Sequence, residues 1–250
     1  MPHCSTRNSD GCHTCRPGPL GDWSLIDPEH ARGLGRIISE QQLAQGEAVF
    51  HMGEANRALY CIAEGMVGLR LLHASGTRVL VDIAYPGDLI GTRAFLRDGE
   101  HRTSAEALSE VRLCKIPSVE ARRLMAEHPQ LYQRLVRICL DSLDASQEAM
   151  LHAAAMSNCD RLFHLLSRLL QHCGATDSAG RLRARLPVSR EDIAGMLGVR
   201  QETLSRLLKR LKDEQLIEIS GRNCQLLSIR RLEPRAARTD SRRRLAIRGI

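Results

Sequence analysis

Residues Leu186 to Leu211 read LPVSREDIAGMLGVRQETLSRLLKRL, and this stretch decides how the C-terminal part of the chain folds. Ser189 followed by Asp192 is a capping-box start, because the two side chains can satisfy amides that a helix N-terminus leaves open. Ile193, Met196 and Leu197 then recur at helical spacing. Gly198 supplies the permissive backbone at which the first helix can stop. A second helix buries Leu204, Leu207, Leu208 and Leu211, and leaves Gln201, Glu202, Ser205, Arg206 and Lys209 outward. Positions 202, 205, 206 and 209 share one helix face. That face can present a carboxylate acceptor, a hydroxyl and a guanidinium fork to base edges in a major groove. The plainer alternative is a solvated amphipathic hairpin.

The following residues, KDEQLIEISGRNCQLLSI from Lys212, read as a helix end and two short strands around Gly221, the wing of a winged helix. The outward pattern Glu202, Ser205, Arg206, written E-x-x-S-R, resembles the recognition helix of the CRP/FNR regulators, and specifically of their FNR branch. The resemblance runs from about Gly46 to Leu232. It implies a DNA-binding set of Ser189, Gln201, Glu202, Thr203, Ser205, Arg206 and Lys209, reading a palindrome of TTGAT half-sites. Arg206 would donate to guanine, Glu202 would accept from a base amino group, and Ser205 would support a neighbouring contact. The resemblance also implies RNA polymerase as a partner.

A chain of 250 residues has room for two modest domains and a connecting element. No apolar run approaches the ~20 residues needed to span a bilayer. The N-terminus, MPHCSTRNSDGCHTC, has no apolar segment of the kind a signal peptide carries, so a cytoplasmic location without membrane association is expected. A net charge of +7 and a pI near 9.1 suit a polyanionic partner. Eight arginines lie between Arg230 and Ile250; residues 235–250 read as a basic, disordered tail able to add phosphate contacts. No P-loop, G-x-S-x-G elbow or HExxH occurs, and no nucleophile–base pair can be inferred, so no enzyme is expected.

Residues 23–128 carry a different texture. Leu25 to Ile38 reads as a lead-in helix. From Gln42 to about Ile116, short apolar runs alternate with glycines and no intervening helices: Tyr60 to Ile62, Val67 to Leu72, Val79 to Ile83 and Val111 to Ile116. HASGTR, from His73, is a hairpin turn. Such a series points to a β-barrel or jelly roll. PGDLIG, Pro86 to Gly91, resembles the effector barrel of the CRP/FNR family, a double-stranded β-helix of the cyclic-nucleotide-binding type. In cyclic AMP-binding members a Glu follows the glycine and holds the ribose. Here Thr92 follows Gly91, although Arg102 and Thr103 stand at the phosphate positions, so cyclic nucleotide is not expected. The His or Pro ligation of haem-dependent relatives is not located either. The whole is thus an α+β chain: jelly-roll barrel, long dimerisation helix, C-terminal winged helix-turn-helix.

The long helix occupies residues 129–156. Val136, Leu140, Leu143, Gln147, Met150 and Ala154 recur at alternating steps of four and three, the seam of a two-stranded coil, with Cys139 beside it. A homodimer follows, and two-fold symmetry would place paired recognition helices about one DNA turn apart. In FNR proteins an acidic residue on this helix weakens the dimer when the cluster is lost; an ungapped match puts Ser146 there, with Asp144 and Glu148 nearby. Residues 157–234 form the DNA-binding domain, opened by the amphipathic DRLFHLLSRLL from Asp160 and joined to Leu186 by a polar loop.

Nine cysteines remain to be read. Cys61, Cys139, Cys159, Cys173 and Cys224 sit in apolar or helical surroundings and read as inert small hydrophobes. Cys4, Cys12 and Cys15 lie in a polar arm, residues 1–22, with no core to fill. A C-x-x-C pair there is compatible with zinc, an iron–sulfur cluster, redox exchange or no role. Cys114, in VRLCKIPS, stands where FNR proteins carry their fourth cluster cysteine. The resemblance therefore implies a [4Fe–4S] cluster on Cys4, Cys12, Cys15 and Cys114, one thiolate per iron. The family arm runs C-x-x-C-x5-C; this one runs C-x7-C-x-x-C, and RPGPLGDW after Cys15 holds no cysteine. The function so implied is oxygen- or oxidant-controlled transcription of anaerobic or microaerobic genes. A regulator of the same fold without a cluster, ligand-gated or constitutive, is the alternative.

Overall fold

The structure is a computed structural model and describes residues 38–74, 76–177 and 180–227. The arm with Cys4, Cys12 and Cys15, the lead-in helix before Ile38 and the basic tail lie outside the described residues. The boundary between two compact units falls between Leu151 and His152.

In the first unit eight strands alternate through two sheets. They are β1 (Ser39–Leu43), β2 (Ala48–Phe50), β3 (Ala58–Glu64), β4 (Val67–Leu72), β5 (Arg78–Ala84), β6 (Leu89–Ile90), β7 (Ser104–Ala107) and β8 (Val111–Pro117). The sheet orders are β1-β8-β3-β6 and β2-β7-β4-β5, with antiparallel neighbours. That is a jelly roll of two facing sheets rather than a closed barrel. The four recognisable apolar runs are β3, β4, β5 and β8, each within a residue or two of its expected bounds. The other four strands are short or polar and escape a periodicity reading. A helix also intervenes, α1 (Thr92–Leu96), where none was expected.

Strand alternation divides β3 between two cores. Ala58, Tyr60 and Ile62 point between the sheets with Phe50, Val67, Val111 and Leu113. Leu59 and Cys61 point outward with Cys114 and Ile116 of β8. This outer face is covered by Phe95 of α1, Ala121 of α2 (Ser118–Glu127) and Leu135 of α3 (Pro129–Ala155). Partly buried Ile38, Leu96, Met125 and Ile138 complete the cover. The Arg122 guanidinium pins α2 to α1, donating to the Phe95 carbonyl at 3.2 Å while lying 4.7 Å from the Phe95 ring centroid. Asn56 donates to the carbonyls of Ala58 and Gly91, and accepts from the Ser118 hydroxyl at 2.6 Å, tying the start of α2 to the sheet.

The second unit packs α4 (Asn158–Cys173), α5 (Arg190–Leu197) and α6 (Gln201–Asp213) with a small sheet. That sheet holds four strands rather than two, in the order β11-β12-β10-β9. Its strands are β9 (Ala175–Thr176), β10 (Leu182–Arg185), β11 (Ile217–Ser220) and β12 (Asn223–Leu226). The stretch between α4 and Leu186, read as a polar loop, thus carries two strands. In β10 the sequence Leu-Arg-Ala-Arg turns its arginines to solvent and pairs with β12 and β9, a strand that a propensity reading passes over. Leu162, Phe163, Leu166, Leu169 and Leu170 of α4 are fully buried.

Candidate nucleic-acid interface and sensor site

Local chemistry sets the helical hairpin. The Ser189 hydroxyl accepts from the Asp192 amide at 3.0 Å, and the Asp192 carboxylate accepts from the Ser189 amide at 2.9 Å. This reciprocal cap contributes about 1 kcal/mol. It also occupies the Ser189 hydroxyl, which donates to the same carboxylate at 2.7 Å. Gly198 closes α5 in the left-handed region, φ 68°, and its amide donates to Ala194 and Gly195 carbonyls. After Val199 and the N-cap Arg200, α6 begins at Gln201.

On α6, Leu204, Leu208 and Leu211 are buried and Leu207 is half-buried, less than its expected burial. Gln201, Glu202, Ser205, Arg206 and Lys209 are exposed, and Thr203 is partly so. Glu202 lies in the first turn and Arg210 and Lys212 in the last, complementing the helix dipole. The structure adds exposed cations that the motif reading did not single out: Arg183 and Arg185 on β10, Arg190 at the start of α5, and Arg200 at the N-cap of α6. Their signal in the sequence was only basic composition; their exposure needed the fold.

On α3, Leu131 and Leu135 are buried and anchor the helix, and Ile138 and Cys139 are intermediate. Every residue from Leu140 to Leu151 is exposed, including Leu140, Leu143 and Met150 of the seam. Val136 sits at the edge of exposure, and Gln147 and Ala154 are exposed. Burial pushes the Cys139 thiol up, against a smaller opposing effect of Arg93. The seam therefore runs from the packed N-terminal half of α3 along a length of helix that the described residues leave uncovered. Ser146 donates from its hydroxyl to the Ser142 carbonyl within this length.

Cys114 is 5% exposed on the helix-facing side of β8. It stands opposite Cys61 of β3 and, on its other side, opposite Glu40 of β1. Ile38, which leads into β1, packs against the same apolar cluster as Cys114. Among the described residues no three His, Cys, Asp or Glu side chains are placed to hold a metal. Thiolates joining Cys114 on a cluster would therefore include some from before residue 38. From Cys15 to Ile38 is roughly two dozen residues, at most roughly 80 Å of extended chain at ~3.3–3.6 Å per residue, so reach is no obstacle. The residue chemistry fits an iron–sulfur group. In the second unit, burial pushes the Cys173 thiol up and the Cys224 thiol up to about 12, so both stay protonated at neutral pH.

At the nucleotide positions of the jelly roll, Thr92 is buried and its hydroxyl donates to the Leu89 carbonyl at 3.4 Å. His101 is buried and stacked on Phe50, with ring centroids 3.7 Å apart. Burial lowers its pKa and favours the neutral form, against the smaller opposing pull of Glu54. Arg102 is exposed.

Residues 40–128 match the cyclic nucleotide-binding domain, and residues 160–235 match the Crp-like helix-turn-helix domain. The chain belongs to the CRP/FNR family. Its relatives place it with the FNR-type branch. It is 29% identical over 234 residues to the nitrogen fixation regulation protein FixK of Bradyrhizobium diazoefficiens, covering 92% of this chain and 95% of that protein. The fumarate and nitrate reduction regulatory protein of Vibrio cholerae is 28% identical, over 87% of this chain and 86% of its own. The structure of FixK2 from Bradyrhizobium japonicum superposes with a TM-score of 0.67 at 25% identity, covering 78% of this chain and 96% of that one. This CRP/FNR chain is a DNA-binding transcription regulator related to anaerobic regulators, and not an enzyme. Helix-turn-helix regulators of this family bind DNA as dimers. Among the described residues no helix is long and apolar enough to cross a membrane.

Proposed function

We propose that this regulator is a homodimer whose binding to FNR-type palindromes responds to oxygen, or to an oxidant such as nitric oxide, through a [4Fe–4S] cluster. The observation that carries this reading is the position of Cys114. It is buried on the sheet face that supports α3, in one cluster with Leu135 and against Ile138, beside the point where the N-terminal segment enters the fold. Cys12, Cys15 and Cys114 would hold the cluster, with Cys4 as the fourth thiolate that the family resemblance implies. When bound, such a cluster supplies a centre that oxidants degrade.

This chain's own residues supply the rest. Leu135 seats the start of α3 on the sheet, and Leu131 packs against Ile38, Leu124 and Met125, so a change in packing around Cys114 reaches the helix that carries the seam. Val136, Leu140, Leu143 and Met150 meet their counterparts across the two-fold axis. Glu202, Ser205 and Arg206 read base edges; Gln201, Thr203, Lys209 and the exposed Arg200 contact the backbone. RNA polymerase contact follows from family membership.

Protein purified without oxygen is expected to show a broad visible absorption that bleaches in air, with about four irons and matching acid-labile sulfide per chain. Colourless, iron-free protein that still binds its palindrome would remove the cluster and leave a ligand-gated or constitutive regulator. Replacing Glu202 by alanine is expected to relax selectivity at one base position, with about 1–3 kcal/mol of discrimination lost there. Binding-site selection on randomised DNA reads this directly. A uniform loss across all sequences would assign Glu202 to general affinity instead.

A further inference from the structure

Cys61 of β3 and Cys114 of β8 stand directly opposite each other in the antiparallel sheet, although 53 positions separate them in the chain. Opposed residues on such strands point to the same side, with Cα atoms about 4.5 or 5.5 Å apart according to their place in the ladder. Both separations fall inside the ~4.4–6.8 Å that a disulfide spans, so the sheet already holds this pair at bonding range. Among the described cysteines no other pair stands in register. The surroundings are apolar, with Leu59, Leu89, Phe95, Ile116 and Leu135 in the same cluster. A neutral disulfide leaves no charge to bury there. Each thiol is 5% exposed, and Glu40, which faces Cys114 from β1, is exposed, so the cover thins one strand away. That opening suits a small uncharged oxidant such as hydrogen peroxide.

We propose that Cys61 and Cys114 are a dithiol that a peroxide converts, reversibly, to a cross-strand disulfide. One sulfur, as its thiolate, attacks a peroxide oxygen; an S–O bond forms as the O–O bond breaks, and the departing hydroxide takes up the thiol proton as water. The second sulfur then attacks the resulting sulfenic sulfur; the S–S bond forms, the S–O bond breaks, and a second water leaves. The two sulfurs lose two electrons and the peroxide gains them. The inference goes beyond the cluster reading and does not need it, because both cysteines lie on described strands. In a chain carrying iron on Cys114 the bond forms only after that iron is lost. Closing it draws the sulfurs to ~2.05 Å within the cluster on which Leu135 of α3 rests, and so repacks the start of the long helix. Two small hydrophobes that merely fill space would do none of this.

The test uses full-length, folded protein stripped of iron with a chelator, as wild type and as the triple variant Cys4→Ser, Cys12→Ser, Cys15→Ser, with and without Cys61→Val. Hydrogen peroxide is added at a dose that oxidises the thiols of the urea-unfolded chain. Remaining thiols are then alkylated, and tryptic peptides are weighed without reduction. Trypsin releases Cys61 within residues 58–70 and Cys114 within residues 113–115, each the only cysteine of its peptide. The expected product, in wild type and triple variant alike, is these two peptides joined, two hydrogens lighter than their sum and separated by dithiothreitol. The triple variant should lose two of its six remaining thiols, and dithiothreitol should restore both. Valine suits a strand and offers no sulfur, so adding Cys61→Val should abolish that recoverable loss of two. Recovery of the two peptides unlinked from folded protein overturns the proposal, as does a link that forms only in urea. So does a recoverable loss of two thiols that persists with Cys61→Val, because the bond then lies elsewhere. Iron in the protein before chelation reports on the cluster reading separately, so either can fail without the other.

Discussion

Replacing Leu143 by aspartate is expected to convert the protein to a monomer and abolish tight binding to a palindrome. Leu143 is 53% exposed in the single chain and lies mid-seam on a helix whose residues from Leu140 to Leu151 are all exposed. A helix of 27 residues whose apolar stripe the described residues leave uncovered is expected to be stabilised by a second copy that buries that stripe. In a two-fold pairing the same patch meets itself, so one substitution brings two carboxylates into an apolar seam. Sedimentation equilibrium should then report the 27.9 kDa of one chain. DNA affinity should fall by about 10²- to 10⁴-fold, the gain that linking two half-site readers provides, while contacts to a single half-site persist. Val119→Asp is the control: Val119 is 77% exposed on α2, outside the four-three repeat of α3, and its substitution should leave the mass unchanged. A Leu143→Asp protein that remains dimeric would place the interface elsewhere.

The second large effect is expected at Gly65, in the turn between β3 and β4. Its φ is +82°, and an added Cβ would stand 2.1 Å from the Glu110 carbonyl oxygen and 2.9 Å from the Val111 Cα. Neither obstacle is a flexible side chain. Alanine therefore combines a left-handed backbone, about 1–2 kcal/mol, with a backbone clash of the overpacking kind, about 1–3 kcal/mol. At ~2–4 °C per kcal/mol for a unit of this size, the melt of the first unit should drop by roughly 4–20 °C. Gly46 separates the two contributions, because its φ is +91° and a Cβ added there would meet nothing within 4 Å. Gly46→Ala should show the backbone cost alone, so equal melts for the two variants would mean that the turn relaxes away from Glu110.

The helices were legible because their determinants are local. Asp192 sits one turn beyond Ser189, Gly198 ends α5, and Pro129 begins α3, so spacing within a few residues locates each element. The Glu202, Ser205, Arg206 face was legible for the same reason, since i, i+3 and i+4 positions share a side wherever the helix is placed. The exposed α3 seam was likewise written in a four-three repeat. The sheets were less so. β2 and β7 pair across more than fifty residues, with a register shift between Ala48 and Phe50, and neither strand alternates clearly in sequence. β10 reads as a charged loop until β12 is beside it.

What the sequence by itself determined is therefore the regulator: a capped helix-turn-helix with a polar outward face, a long helix with one apolar stripe, and a jelly roll between glycines. Only the tertiary structure decided which strands meet, and with them the neighbours of Cys114. Cys61 and Cys114 are 53 positions apart in the chain yet directly opposed in the sheet, with Ile38 packed against their shared cluster. Side-chain periodicity tells which way a residue points on its own strand, but register between distant strands is set by the packing of both faces at once.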